Sequence, residues 1–202
     1  MNYSSSPEIP LLVIGYGDTS KADQGAGYKV AEVLKKKNYK YIQALSVYKL
    51  SSRLASLVIK ARMVIFISSY QVSHDMDSEI MIKHFLPHYE KTEMGISYPN
   101  PPHSLLSFVK GVYGKKPDAY WILIPAVHNQ PHQYLSCLTR KRIKDTLEYL
   151  IGESDCDGLD RNPYQKYREV KNKADFNIRG EDAPTTSKGL VEGSVWVSLG
   201  WQ

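Results

Sequence analysis

Residues 13–34 read VIGYGDTSKADQGAGYKVAEVL, and this stretch decides the fold. It begins inside the apolar run 11–16 (LLVIGY), whose unbroken hydrophobicity is the pattern of a strand buried on both faces. The turn residues GDTSKADQ follow. From Gly25 to Lys37 the pattern becomes helical, with Val30, Val33 and Leu34 on one face. A buried strand, a turn and an amphipathic helix in succession open a βαβ rhythm, which calls for a largely parallel sheet.

The rhythm continues outward. Residues 41–48 read as a second strand, and Ser51 or Ser52 can cap a helix running to about Ile59. Residues 62–68 (RMVIFIS) are short, β-rich and flanked by polar residues, the pattern of a central strand. A further strand is expected over 79–85, and the prolines of 87–102 predict a loop. A helix over 104–113 stops at Gly114, a buried strand covers 119–124 (AYWILI), and 136–151 form a closing helix with Leu138, Ile143, Leu147 and Leu150 in one stripe. The fold class is therefore α/β, a twisted, mostly parallel sheet between helices.

Beyond Gly152 the texture changes to Asp, Asn, Gly, Pro, Ser and Lys. The chain divides into an α/β domain over 1–152 and a polar extension over 153–202, extended or disordered to about 189. Within that extension, Val195, Val197 and Leu199 alternate with Ser194, Trp196 and Ser198. This predicts a terminal strand over 190–199, able to join a sheet edge in cis or on a partner.

Composition narrows the function. Of 26 Lys/Arg and 21 Asp/Glu, residues 1–152 hold 19 and 12, and the extension 7 and 9, giving net charges of +7 and −2. The basic clusters 35–37 and 140–142 fall on predicted helices as solvated cations, so nucleic acid is not the expected partner. No apolar run approaches the roughly 20 residues of a membrane span, and no secretory signal pattern opens the chain, so a cytoplasmic protein is expected. Cys137 and Cys156 form neither a disulfide framework nor a paired metal motif.

Gly15, Gly17, Asp23, Gly25 and Gly27, followed by Val30 and Ala31, stand in a pattern that resembles the opening of the hydrogenase maturation endopeptidases. That opening is a strand, a Gly-x-Gly-Asn turn, a basic-Asp-acidic-Gly-x-Gly motif and a helix. RMVIFISS (62–69) is similar to the family's central strand, and HSLLSFVKGVYGKKPDAYWILIPAV (103–127) to its late helix, turn and strand. The resemblance spans residues 11 to about 151. It implies a hydrogenase-maturation-peptidase-like, phosphorylase-hydrolase-like three-layer sandwich. The implied family activity is removal of a C-terminal peptide from the large subunit of nickel–iron hydrogenase, guided by nickel already held in that substrate.

In the family, an acidic residue after the motif's Asp, an Asp ending the central strand and a His before the late helix serve that task. Carried over, the first position falls on Gln24 and the second on Ser68; the third falls on Tyr98 by helix register, or on His103 one turn nearer the helix. A neutral amide and a hydroxyl thus replace two anions, weakening the attraction that desolvates a divalent cation. Asp23 is expected to take up orphan amides at the first helix N-terminus. Asp18 stands for the family's turn Asn with equivalent side-chain bonding.

Three functions compete. The resemblance without its carboxylates points to a catalytically degenerate protein that binds a client, such as a hydrogenase large subunit, through the old substrate cleft, with no catalytic residue, metal or cofactor assigned. An active metal-dependent endopeptidase would instead enlist His103 and a carboxylate from 75–79, acting on nickel in the substrate. Gly15-x-Gly17 after a strand also suggests nucleotide binding, but Ser20 stands where a third glycine belongs, and Val47 and Tyr48 where an acid does. The cluster His74, Asp75, Asp77 and Glu79 reads as solvated loop rather than metal site, His84 and His88 are four apart but Pro87 argues against a continuous helix joining them, and His128 and His132 read as exposed loop residues.

Overall fold

A computed structural model describes residues 9–73, 78–85, 101–131 and 134–151. In chain order they form β1 (Ile9–Tyr16), α1 (Ala26–Lys37), β2 (Ile42–Val47), a 3-10 turn (Ser52–Leu54), α2 (Ala55–Val58), β3 (Ala61–Gln71), β4 (Met81–His84), α3 (Pro101–Tyr113), β5 (Asp118–Ala126) and α4 (Cys137–Ile151). The strands join in one sheet of order β2-β1-β3-β5-β4. Only β4 runs antiparallel to its neighbour. The α/β class with a mostly parallel sheet is therefore as the sequence predicts.

Side-chain alternation builds the two cores. Leu11 and Val13 of β1 with Met63, Ile65 and Ile67 of β3 face α1 and α4, whereas Leu12, Ile14, Val64 and Phe66 face α2 and α3. Both faces are covered, which is why these strands lack polar alternation. Each such side chain withdrawn from water contributes roughly 1.5–3 kcal/mol before conformational entropy is set against it. Among the described residues, no helix is long and apolar enough to cross a membrane.

Glycine lets α1 lie directly on the sheet. A Cβ on Gly15 would sit 2.0 Å from the Gly27 carbonyl oxygen, and one on Gly27 would sit 2.1 Å from the Ile67 carbonyl oxygen. At its far end, Asn38 adopts a left-handed conformation (φ 50°) and its N–H closes on the Leu34 carbonyl. That ends the helix after Lys35, Lys36 and Lys37, whose charges suit its C-terminal dipole.

Two helices differ from expectation. Ser51 occupies the cap position but its side chain makes no capping bond, and a 3-10 turn plus one α-turn replace a longer helix. The late helix starts at Pro101 rather than Ser104. Proline fits there because the first helical N–H groups have no intrahelical acceptor to lose. Residues 86–100, and the extension with its expected strand over 190–199, lie outside the described residues.

Candidate functional site

The chain leaves β1 for β2 on one side and returns past β1 to β3 on the other. At such a reversal the connections diverge and a crevice opens beyond the carboxyl ends of the strands. Here it is a cleft of about 570 Å³. Among the described residues, Tyr16, Gly17, Asp18 and Gln24 form one wall, Ser68 to Gln71 at the end of β3 another, and Trp121, Leu123 and Ala126 of β5 with Pro101 of α3 line the rest.

The first wall is shaped by its turn. Gly17 has φ 150°, and a Cβ there would meet the Gln24 carbonyl oxygen at 2.0 Å, so only glycine fits. Asp18 Oδ1 accepts the Ser20 N–H at 2.9 Å and the Ser20 hydroxyl at 2.6 Å, and Oδ2 accepts the Tyr48 hydroxyl at 3.1 Å. The Ser20 hydroxyl and N–H hold the Asp18 carboxyl below its ordinary range, and Asp18 in turn raises the Tyr48 phenol. Gln24 is half-buried, and its carbonyl accepts the Ser69 hydroxyl at 3.3 Å.

Asp23 is fully buried, but the amides it takes up are not those of α1. Gly25 stands at the α1 cap without a side-chain bond. The Asp23 carboxylate instead crosses to the loop between β5 and α4. Oδ2 accepts the Val127 and His128 N–H groups at 3.0 and 2.9 Å, and Oδ1 accepts the Ser136 N–H at 2.8 Å. Burial resists its ionisation, but these donors outweigh burial and hold the carboxyl below its usual range. His128 Nδ1 lies 4.0 Å from Oδ2, at the edge of ion-pair distance.

Gln24 and Ser68, far apart in sequence, meet in this one cleft. The Ser68 hydroxyl is not free: its Oγ accepts the Trp121 indole N–H at 2.9 Å. The Tyr16 hydroxyl is buried beside the Ser68 hydroxyl and the Trp121 indole, and burial, only partly offset by these two neighbours, pushes its pKa to about 12. His103 is exposed in the first turn of α3 and does not line the cleft; Tyr98 lies outside the described residues. His84, within the strand expected over 79–85, is a β4 residue stacked on Tyr120 at 4.4 Å between ring centres. Glu79 offers its backbone carbonyl to the Tyr70 hydroxyl at 2.8 Å. His74, Asp75, Asp77, His88, His132 and Cys156 lie outside the described residues, while Cys137 is exposed at the start of α4.

The donor set of the described residues does not match one that reads a divalent cation. Among the described residues no group of three His, Cys, Asp or Glu side chains could hold a metal. Asp18 is the one carboxylate among the described residues of the lining, and Ser20 and Tyr48 bond to its oxygens. Sequence reasoning missed Tyr16, Trp121 and Tyr70 as cleft residues. Their signal was slight: hydroxyl- or N–H-bearing aromatics, Tyr16 and Tyr70 towards the strand ends and Trp121 within β5.

Sheet order, helix layers and the position of the cleft define an α/β sandwich with the fold of the hydrogenase maturation proteases. The chain is similar to the hydrogenase maturating endopeptidase HybD from E. coli, with a TM-score of 0.56 and 17% identity over 71% of this chain and 90% of that one. It is similar to the [NiFe] hydrogenase maturation protease HycI from Thermococcus kodakarensis KOD1 (TM-score 0.56, 19% identity, 69% of this chain and 88% of that one). The hydrogenase 2 maturation peptidase from Thaumarchaeota archaeon SCGC_AB-539-E09 gives 0.51 and 17% over 70% and 95%. No family model and no curated protein matches the sequence. At such identities, what is shared is the fold.

Proposed function

We propose that this hydrogenase-maturation-protease-like chain binds a protein client in its cleft and does not cut it. One observation carries the reading: Ser68, at the position where the resemblance calls for a carboxylate, is a buried hydroxyl bonded to the Trp121 indole. A neutral oxygen already engaged by a donor contributes little to holding a divalent cation. Gln24, the companion position on the facing wall, is likewise uncharged. The remaining lining, with Tyr16, Trp121 and Leu123, suits contact with an apolar side chain framed by neutral hydrogen-bonding groups.

A competing reading, a working endopeptidase that trims a hydrogenase large subunit, draws on Asp18, the charged residue among the described residues of the lining. The two separate on incubation of the purified full chain with a nickel-loaded large-subunit precursor. The binding reading expects a complex by sedimentation and an unchanged precursor mass, with Gln24→Arg weakening the complex about tenfold (about 1.4 kcal/mol). Nickel-dependent loss of the precursor's C-terminus would establish the peptidase and end the degenerate reading. Neither binding nor trimming would place the client outside the hydrogenases.

A further inference from the structure

Away from the cleft, the two margins of the sheet are treated unlike one another. A strand margin presents unpaired N–H and C=O groups, and proteins blunt it with short strands, lysine, proline or a covering element. The β4 margin is blunted: it is four residues long and carries Lys83. The β2 margin is not. Its six residues, IQALSV, contain no charge and no proline, and Ala44 to Val47 are half-buried rather than exposed. Among the described residues β2 has a strand neighbour on one side only.

A recess of about 320 Å³ adjoins the start of this margin, lined by Leu34, Asn38, Tyr39, Ile42 and Ala44 among others. The Tyr39 hydroxyl is buried there without a hydrogen-bond partner. An uncharged strand margin beside an aromatic-lined recess with an orphan hydroxyl calls for a strand that carries a large side chain with a polar atom.

We propose that the chain's own segment 194–199 (SVWVSL) occupies this margin, parallel to β2, with Ser194 opposite Ile42 and Leu199 opposite Val47. In that register the faces agree. Val197 and Leu199 fall beside Leu45 and Val47, on the face where Val47, Leu50 and Leu54 already pack. Trp196 falls beside Ala44, on the face of α1 and the Tyr39 recess. Extending the register backward sets Glu192 opposite Lys40, an acid against a base. The antiparallel alternative with the same faces loses that pairing. Reach is ample, because the 38 residues from Gly152 to Gly189 span roughly 120 Å when extended. Tethering also removes most of the entropy of association, since the docking is intramolecular.

Hydrogen–deuterium exchange of the full chain, compared with the Val197→Asp variant, tests the assignment. The substitution sets a charge beside Leu45, so amides of 42–47 should exchange at least tenfold faster, at a rate independent of protein concentration. Amides of β3 and β5 in the same samples should not change, which guards against a general loss of fold. Equal exchange of 42–47 in the two proteins overturns the proposal. Protection of 42–47 that grows with protein concentration also overturns it, because a second copy would then be the occupant.

Discussion

Asp23 does at the residue scale what a metal or a disulfide does elsewhere: it ties segments more than a hundred positions apart. Because its folded pKa is lowered, its contribution to stability is complete above the unfolded carboxyl value near 4 and is lost as pH falls through the folded value. Acid unfolding should therefore include a limb below about pH 4 that Asp23→Asn flattens. At neutral pH the same variant should cost about 2–4 kcal/mol in urea unfolding, since a carboxamide oxygen cannot serve three buried N–H donors. Gly27 acts by absence. A methyl group 2.1 Å from the Ile67 carbonyl forces α1 off the sheet, so Gly27→Ala should lose about 3 kcal/mol, read as a shift in the urea midpoint.

Elements are set by their ends. Ser136 opens α4: its Oγ accepts the Thr139 N–H at 3.2 Å, and its backbone carbonyl accepts the Arg140 N–H at 3.0 Å. Thr139 then donates its hydroxyl to the Pro125 carbonyl at 2.8 Å, fastening the helix start to the end of β5. Ser136→Ala removes the capping oxygen and should cost about 1 kcal/mol, a fall of roughly 2–4 °C in melting temperature. The carboxylate of Asp23 still holds the Ser136 backbone N–H in that variant, so the loop keeps its place while the helix start loosens. A calorimetric scan unchanged by the substitution would show the cap to be idle.

Over the whole molecule, the cleft exists because strand ends, a turn and a helix start converge where the connections diverge. Its chemistry follows from which side chains arrive there, and two of them, Gln24 and Ser68, arrive without charge. Introducing carboxylates with Gln24→Glu and Ser68→Asp sets two anions across one partly desolvated cleft, where Coulomb attraction for a cation is stronger than in water. The double variant should bind Ni²⁺ at least tenfold more tightly than the natural chain in a calorimetric titration. Equal affinity would mean that these two walls are too far apart to share an ion.

The sequence by itself determined the strand–turn–helix start, the parallel character of the sheet and the segments that fill both cores. These follow from hydrophobic periodicity, a local property that survives without neighbours. It also marked Gly15, Gly17, Gly25 and Gly27 as a motif, although not the carbonyl contacts that exclude a Cβ. Only the tertiary structure decided that the Asp23 carboxylate reaches the β5–α4 loop rather than α1, that Trp121 occupies the Ser68 hydroxyl, and that His103 stands outside the cleft. Hydrogen bonds between distant segments depend on strand register and helix placement to within an ångström, and no pattern along the chain encodes a distance across it.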